Sequence, residues 1–243
     1  MADYFSKKTF EYFKGASRNK NKLKWFEKNK DHFESYVFDP FSGLLECINE
    51  SCGPRLPPIS KKCLTKTLRA KATENSEFIR STATAYISEK ATSLFEWNPS
   101  VIISLGAKPE NNFISAGLMM VSSRQMNLLR LKWQHSTAEL DAILNQKKIK
   151  NQWGGLYGDK YKKFPKAYLN IPNVKYFWHK QFFLRKGLSK REIISRDFSS
   201  HCIAQIESAL PFLNWLRACV GTYQPPEKQI KATPSPPENP ISV

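Results

Sequence analysis

The chain is short of the residues and patterns that mark several large function classes. Its five cysteines (Cys47, Cys52, Cys63, Cys202 and Cys219) are odd in number and irregularly spaced, with no Cys-x-x-Cys pair. This argues against a disulfide framework and for a reducing, cytoplasmic setting. The four histidines (His32, His135, His179, His201) are scattered, with no His-Glu-x-x-His and no Cys/His pairing at zinc spacing, so neither a metal nor a cofactor is expected. No Gly-x-Ser-x-Gly and no dinucleotide fingerprint is present, which removes the usual sequence grounds for a hydrolase or a nucleotide-dependent oxidoreductase. Apolar runs are only a handful of residues long, far short of a membrane span. The start, Met1-Ala-Asp-Tyr-Phe-Ser-Lys-Lys, breaks apolar character at once and does not read as a signal segment.

Acidic residues are also scarce. Against 38 Lys and Arg stand 21 Asp and Glu, a formal net charge of +17 over 243 residues. The excess is concentrated. Residues 147–191 hold 13 Lys/Arg and one acid, Asp159, a net of +12. Ten aromatics interleave with these lysines, among them Trp153, Tyr157, Tyr161, Tyr168 and Phe183. Cations that track phosphates beside rings that stack on bases are the tools of single-strand binders, so nucleic acid or another polyanion is the expected partner. The candidate contacts are Lys160, Lys162, Lys163, Lys166, Arg185 and Lys186. The alternative is that the rings pack inward and the lysines form a solvated face. Trp153-Gly154-Gly155-Leu156-Tyr157-Gly158 reads as a plain turn rather than a phosphate cradle, because no Lys-Ser or Lys-Thr pair opens a helix after it.

Enough apolar sequence is present to build a core, with 41% hydrophobic residues. A helix is expected over residues 4–14, stopped by Gly15. A second starts near Lys22 and carries Phe26, Phe33 and Val37 on one face, with a break or kink at Pro40. Trp25, Phe26 and Phe33 are expected to bury against the sheet as core anchors. After residue 60 the chain turns to short stretches rich in Thr, Ile, Val and Phe, at residues 63–69, 78–88, 93–97, 101–107 and 112–118. Turn residues separate several of them, the pattern of an antiparallel sheet. Helices return at 123–134 and 138–148, and an edge strand is expected at 181–185. A final helix carries Cys202, Ile206, Ala209, Leu213, Leu216 and Val220 at four- and three-residue steps, is kinked at Pro211 and closes at Gly221. Six of the last 22 residues are proline, and that segment reads as a disordered tail. The expectation is therefore one α+β domain over residues 1–221, an antiparallel sheet flanked by N-terminal and C-terminal helices, with a Pro-rich tail at 222–243.

Four stretches resemble, in order, the domain-of-unknown-function family numbered 2461, found in bacteria and fungi. They are Trp25-Phe26-Glu27-x-x-Lys30-x-x-Phe33; Gly117-Leu118-Met119-Met120 leading to Met126, Leu129 and Arg130; Gly158-Asp159-Lys160-x-Lys162-Lys163-x-Pro165-Lys166-Ala-Tyr168 with Lys180-Gln-Phe-Phe183; and Leu210-Pro211-Phe-Leu213-x-x-Leu216. The resemblance spans about residues 5–220 and implies a pocket that draws on Glu27, Arg69, Arg130 and Asp159. The family's usual central run of arginines, aspartates and lysines is largely missing here, and only Arg69 plainly survives. Together with the charge, this makes a non-catalytic or catalytically degraded binding module for an anionic partner the expected function. The alternatives are an enzyme on a phosphorylated or nucleic-acid substrate, with Arg69, Arg130 and Lys160 at its site, and an adaptor. The adaptor would use its tail, Pro234-Ser-Pro-Pro237, as a polyproline ligand.

Overall fold

The computed structural model describes residues 4–57, 59, 63–66, 68, 79–88, 98–163 and 174–221. Five antiparallel strands form one sheet in the order β1-β2-β3-β5-β4. They are β1 (Thr82–Ile87), β2 (Ser100–Gly106), β3 (Phe113–Leu118), β4 (Leu156–Tyr157) and β5 (Phe182–Gly187). Side chains alternate across a strand, and the register sorts them cleanly. Ala83, Ala85, Val101, Ile103, Leu105, Ile114, Ala116, Phe182 and Leu184 share one face and enter the core. Thr84, Ser104, Phe113, Ser115, Arg185 and Tyr157 lie on the other.

The expected edge strand at 181–185 is an inner strand, paired with β3 on one side and β4 on the other. The two-residue β4 takes the edge, and a pair is too short to leave an alternating pattern. Of the expected strand at 63–69, the described residues make two isolated bridges, Leu64 to Ala85 and Leu68 to Ile79. The expected strand at 93–97 and the tail lie outside the described residues.

The core helix is α9 (Phe198–Val220). Its predicted stripe from Cys202 to Val220 is buried, and so are Phe198, Leu210, Phe212 and Trp215. Apolar residues therefore ring the helix, as suits an element packed on several sides. Its neighbours are β3 and the helices α4 (Asp39–Cys52), α5 (Ser123–His135), α6 (Ala138–Leu144) and α7 (Lys147–Trp153). Pro211 does not end α9. The single helix expected at 138–148 is two, parted at Asn145 and Gln146. Among the described residues no helix is long and apolar enough to cross a membrane.

At the N-terminal end, α1 runs Lys7–Arg18, so Gly15 does not stop it. A Cβ there would lie 2.6 Å from the Trp25 ring; the missing side chain is what lets Trp25 lie on α1. Trp25, on α2 (Leu23–Lys28), packs on α1 beside Tyr12 at 5.6 Å between ring centroids. Trp25, Phe26 and Phe33 are half-buried rather than fully buried anchors. From α3 (Lys30–Phe33) the chain passes through a π turn (Glu34–Phe38) into α4, with Pro40 in its first turn. Proline has no N–H to give to the carbonyl four residues back. That carbonyl, of Tyr36, instead accepts a hydrogen bond from the buried Thr9 hydroxyl at 2.8 Å. The expected break at Pro40 is thus absorbed, and the bond ties α1 to the π turn that leads into α4.

Candidate functional site

The basic stretch is shaped by two glycines and a pair of chain segments. Gly154 ends α7 in the left-handed conformation, φ 72°, so the glycine run is a helix cap and turn, as its sequence suggests. Gly158, at φ 128°, is needed where the chain closes on Gln181: a Cβ would sit 2.9 Å from the Gln181 Cβ. Past it, residues 159–161 run antiparallel to 178–181. The Asp159 N–H donates to Gln181 Oε1 at 3.1 Å, the Lys180 N–H to the Asp159 carbonyl at 2.8 Å, and the Tyr161 N–H to the Trp178 carbonyl at 2.8 Å. Lys160 bridges to His179. The effect is to hold Lys160, Lys162, Lys163 and Lys180 out into solvent on one short ledge.

Two cations, Lys180 and Arg130, frame Tyr161. The Lys180 ammonium lies 5.3 Å from its ring centroid and the Arg130 guanidinium 5.8 Å, both within cation–π reach. Arg130 arrives from α5. That helix is fixed by a capping box, in which Ser122 and Gln125 bond each other's backbone N–H groups. Its buried face is Met126, Leu129 and Trp133. Trp133 supports the ledge from beneath, with Tyr176, Phe177 and Phe182 rings 6.0, 5.4 and 4.8 Å away. The same segment is clamped to α6. Asp141 accepts from Lys175, from the Tyr176 hydroxyl at 2.6 Å and from Thr137 at 3.0 Å. Burial pushes the Asp141 carboxyl up, but those three hydrogen bonds outweigh it and hold the group below the usual carboxylate range.

His179 sits under the ledge, 6% exposed, with its Nδ1 buried and unpartnered. Burial, reinforced by the Lys160 charge, pulls it down to about 4. Its ordinary value is near 6.5. Between those two values the unfolded chain binds the proton and the folded one does not, so stability falls as pH falls through that window. The full effect is on the order of 3 kcal/mol at about 1.4 kcal/mol per pH unit. Urea unfolding at pH 7.5 and 4.5 should show His179→Gln losing roughly 2 kcal/mol less than the unchanged protein. Equal losses in both would mean that His179 protonates freely in the fold.

The sequence-derived candidates are only partly brought together. Lys160, Lys162, Lys163 and Asp159 share the ledge, and Arg130 reaches it through Tyr161. Glu27 is exposed on α2, and the turn before that helix is tied to the segment before β1 by the Ile79 N–H bond to the Lys20 carbonyl at 2.8 Å. β1 and β4 are opposite edges of the sheet, so Glu27 and Asp159 do not form a pair. Arg185 and Lys186 are successive residues of β5 and therefore face opposite ways. Arg69 and Lys166 lie outside the described residues. Sequence reasoning missed Lys180 and His179 as members of the site. Gly158, as a point of close backbone approach, is the residue that could have flagged the pairing. Of the ten aromatics at 147–191, Trp153, Tyr176, Phe177, Phe182 and Phe183 are buried, and Phe164 and Tyr168 lie outside the described residues. Five of the eight described rings thus pack inward. Among the described residues no cluster of three or more His, Cys, Asp or Glu could hold a metal, and all five cysteines are free thiols.

Residues 8–215 match the family described as "Conserved hypothetical protein (DUF2461)". The chain belongs to that family, and the match covers most of its length. No curated protein and no solved structure matches it.

Proposed function

We propose that this member of the family is a binding module for a polyanion, with nucleic acid as the ligand class, and that the ledge formed by residues 158–163 and 178–181 is its contact surface. The observation that carries the reading is the charge on that ledge. Lys160, Lys162, Lys163 and Lys180 are exposed, and among the described residues no carboxylate forms a salt bridge with any of them. Asp159 is the one acid in the whole of residues 147–191. Such a focus of unpaired positive charge attracts phosphates at long range. A cytoplasmic setting fits the free thiols.

The test is anisotropy of a labelled oligonucleotide over a series of salt concentrations. Binding should weaken steeply with salt, because each phosphate contact releases counterions. Changing Lys160, Lys162 and Lys163 together to Gln should flatten the log–log slope by roughly 2, at about 0.7 per contact on a single strand. The melting temperature should hold, since these lysine heads already stand in water. Saturable binding of a small phosphorylated compound, with no dependence on strand length, would favour the enzyme alternative instead. Absence of binding at low salt would remove the proposal altogether.

A further inference from the structure

On the sheet face turned away from the core, three side chains from adjacent strands meet near the ledge. The Arg185 guanidinium of β5 lies 4.1 Å from the Phe113 ring centroid of β3 and 5.4 Å from the Tyr157 ring centroid of β4. Phe113 pairs directly with Gly187, whose missing side chain would have met nothing within 4 Å. Tyr157 has glycines close by on both sides, Gly155 and Gly158, and it is 52% exposed. No other aromatic among the described residues of 147–191 is that open. Every other Phe, Tyr and Trp ring among the described residues is buried or half-buried.

Arginine carries five N–H donors in a planar fork. Among the described residues one acceptor meets them, the Glu110 carbonyl at 2.7 Å. The fork is thus oriented by a backbone bond and by two rings, with donors left over. The carboxylates in this neighbourhood are Glu110, which pairs with Lys108 at 3.8 Å, and Asp159. Neither forms a salt bridge with Arg185. On β5 Tyr157 stands opposite Phe183, and just before that strand Lys160 stands opposite His179. Those positions lie three steps apart on one strand and four on the other, about 10–13 Å at 3.3 Å per residue, a distance that one bound strand can bridge.

We infer that Tyr157 and Arg185 form a stacking step for an unpaired nucleobase, with Arg185 donating to the adjoining phosphate, so that the ligand of the ledge is single-stranded. This rests on the polyanion reading of the ledge and adds to it the class of strand. An aromatic face serves every base and is unavailable to a duplex, whose bases are already stacked.

Three labelled ligands of equal length test this over a series of salt concentrations, compared per phosphate: a single-stranded oligonucleotide, the same backbone with abasic sites, and a duplex. The base-bearing single strand should bind tightest. Tyr157→Ala should weaken it by roughly tenfold, the order that one stacked base contributes, with an unchanged salt slope. It should leave the abasic strand unaffected. Arg185→Lys, which keeps the charge and loses the planar fork, should weaken the base-bearing strand with an unchanged salt slope and, because its phosphate contact is also altered, weaken the abasic strand to a lesser degree. Equal binding of the three ligands, with no effect of Tyr157→Ala, would overturn the stacking step and leave a backbone-only polyanion surface standing. Failure of all three to bind at low salt would overturn both readings.

Discussion

Gly117→Ala should yield little folded protein. Gly117 lies in the middle of the sheet, on β3, with φ 137°. L residues rarely adopt that conformation, and holding one there costs about 1–3 kcal/mol. The space is worse than the angle. A Cβ would stand 2.3 Å from the Phe182 carbonyl oxygen and 2.7 Å from the Phe183 Cα. Both are backbone atoms of the neighbouring strand, so no side chain can swing aside. Relief requires parting β3 from β5, the pairing from Phe113 with Gly187 through Leu118 with Phe182. Overpacking adds about 1–3 kcal/mol, and the combined loss is a large share of the roughly 5–15 kcal/mol that holds a domain together. The melting temperature should drop by roughly 10 °C or more, at about 2–4 °C per kcal/mol for a chain of this size. Gly154→Ala is the control. It has a positive φ but nothing within 4 Å of its Cβ position, so its loss should be the smaller. Equal, small losses at both positions would show that the β3–β5 contact yields easily.

Trp133→Ala should cost about 3–5 kcal/mol, the range for emptying a large aromatic site. The residue is 1% exposed and lies among Tyr176, Phe177 and Phe182. Its indole N–H is buried without a partner, a group that costs about 1–3 kcal/mol when left unsatisfied. Trp133→Phe removes that group and keeps most of the ring, so it should cost much less than the alanine change. The two variants therefore separate lost packing from the unsatisfied donor. Chemical denaturation reads both. If Phe proved as damaging as Ala, the indole nitrogen would be holding something in place that packing does not account for. Because the aromatic nest lies under His179 and Lys180, Trp133→Ala should also loosen the ledge and weaken oligonucleotide binding.

How much of this was legible beforehand depended on the range of each cause. Helices α5 and α9 announced themselves because their apolar spacing is a local property, and the inner strands β2 and β3 because they are short, β-branched and bounded by turns. Gly15 misled because its role is set by Trp25, ten residues on, and not by its own neighbours. The Pro40 break was masked by Thr9, which supplies from another helix the hydrogen bond that proline cannot. The division of residues 138–148 into two helices turns on Asn145 and Gln146, which carry no strong stop signal. At the candidate site, the lysines were visible as composition. Their convergence with Arg130 and Lys180 around Tyr161 was not, since it comes from strand pairing across the molecule. The resemblance to the family brought Arg130 and Asp159 forward, but it did not foretell that Glu27 would stand at the far edge of the sheet.

The strand order has a consequence for when the ledge exists. β1, β2 and β3 are consecutive in the chain and paired in sequence, so they can zip together over short loops. β5 joins β3 only after the 63 residues from 119 to 181 have been laid down. Closing that longer loop is slower and carries more chain entropy. The last strand to dock also brings with it β4 and the loop carrying Lys160, Lys162 and Lys163. In native-state hydrogen exchange, such a late-formed unit is expected to open at lower free energy than the β1–β3 meander. The amides of Tyr161 and Lys180, which bond across the ledge, would then exchange ahead of those of β2. A ligand of the proposed kind bound there would slow that exchange, so the exchange rates of these two amides would report occupancy of the ledge.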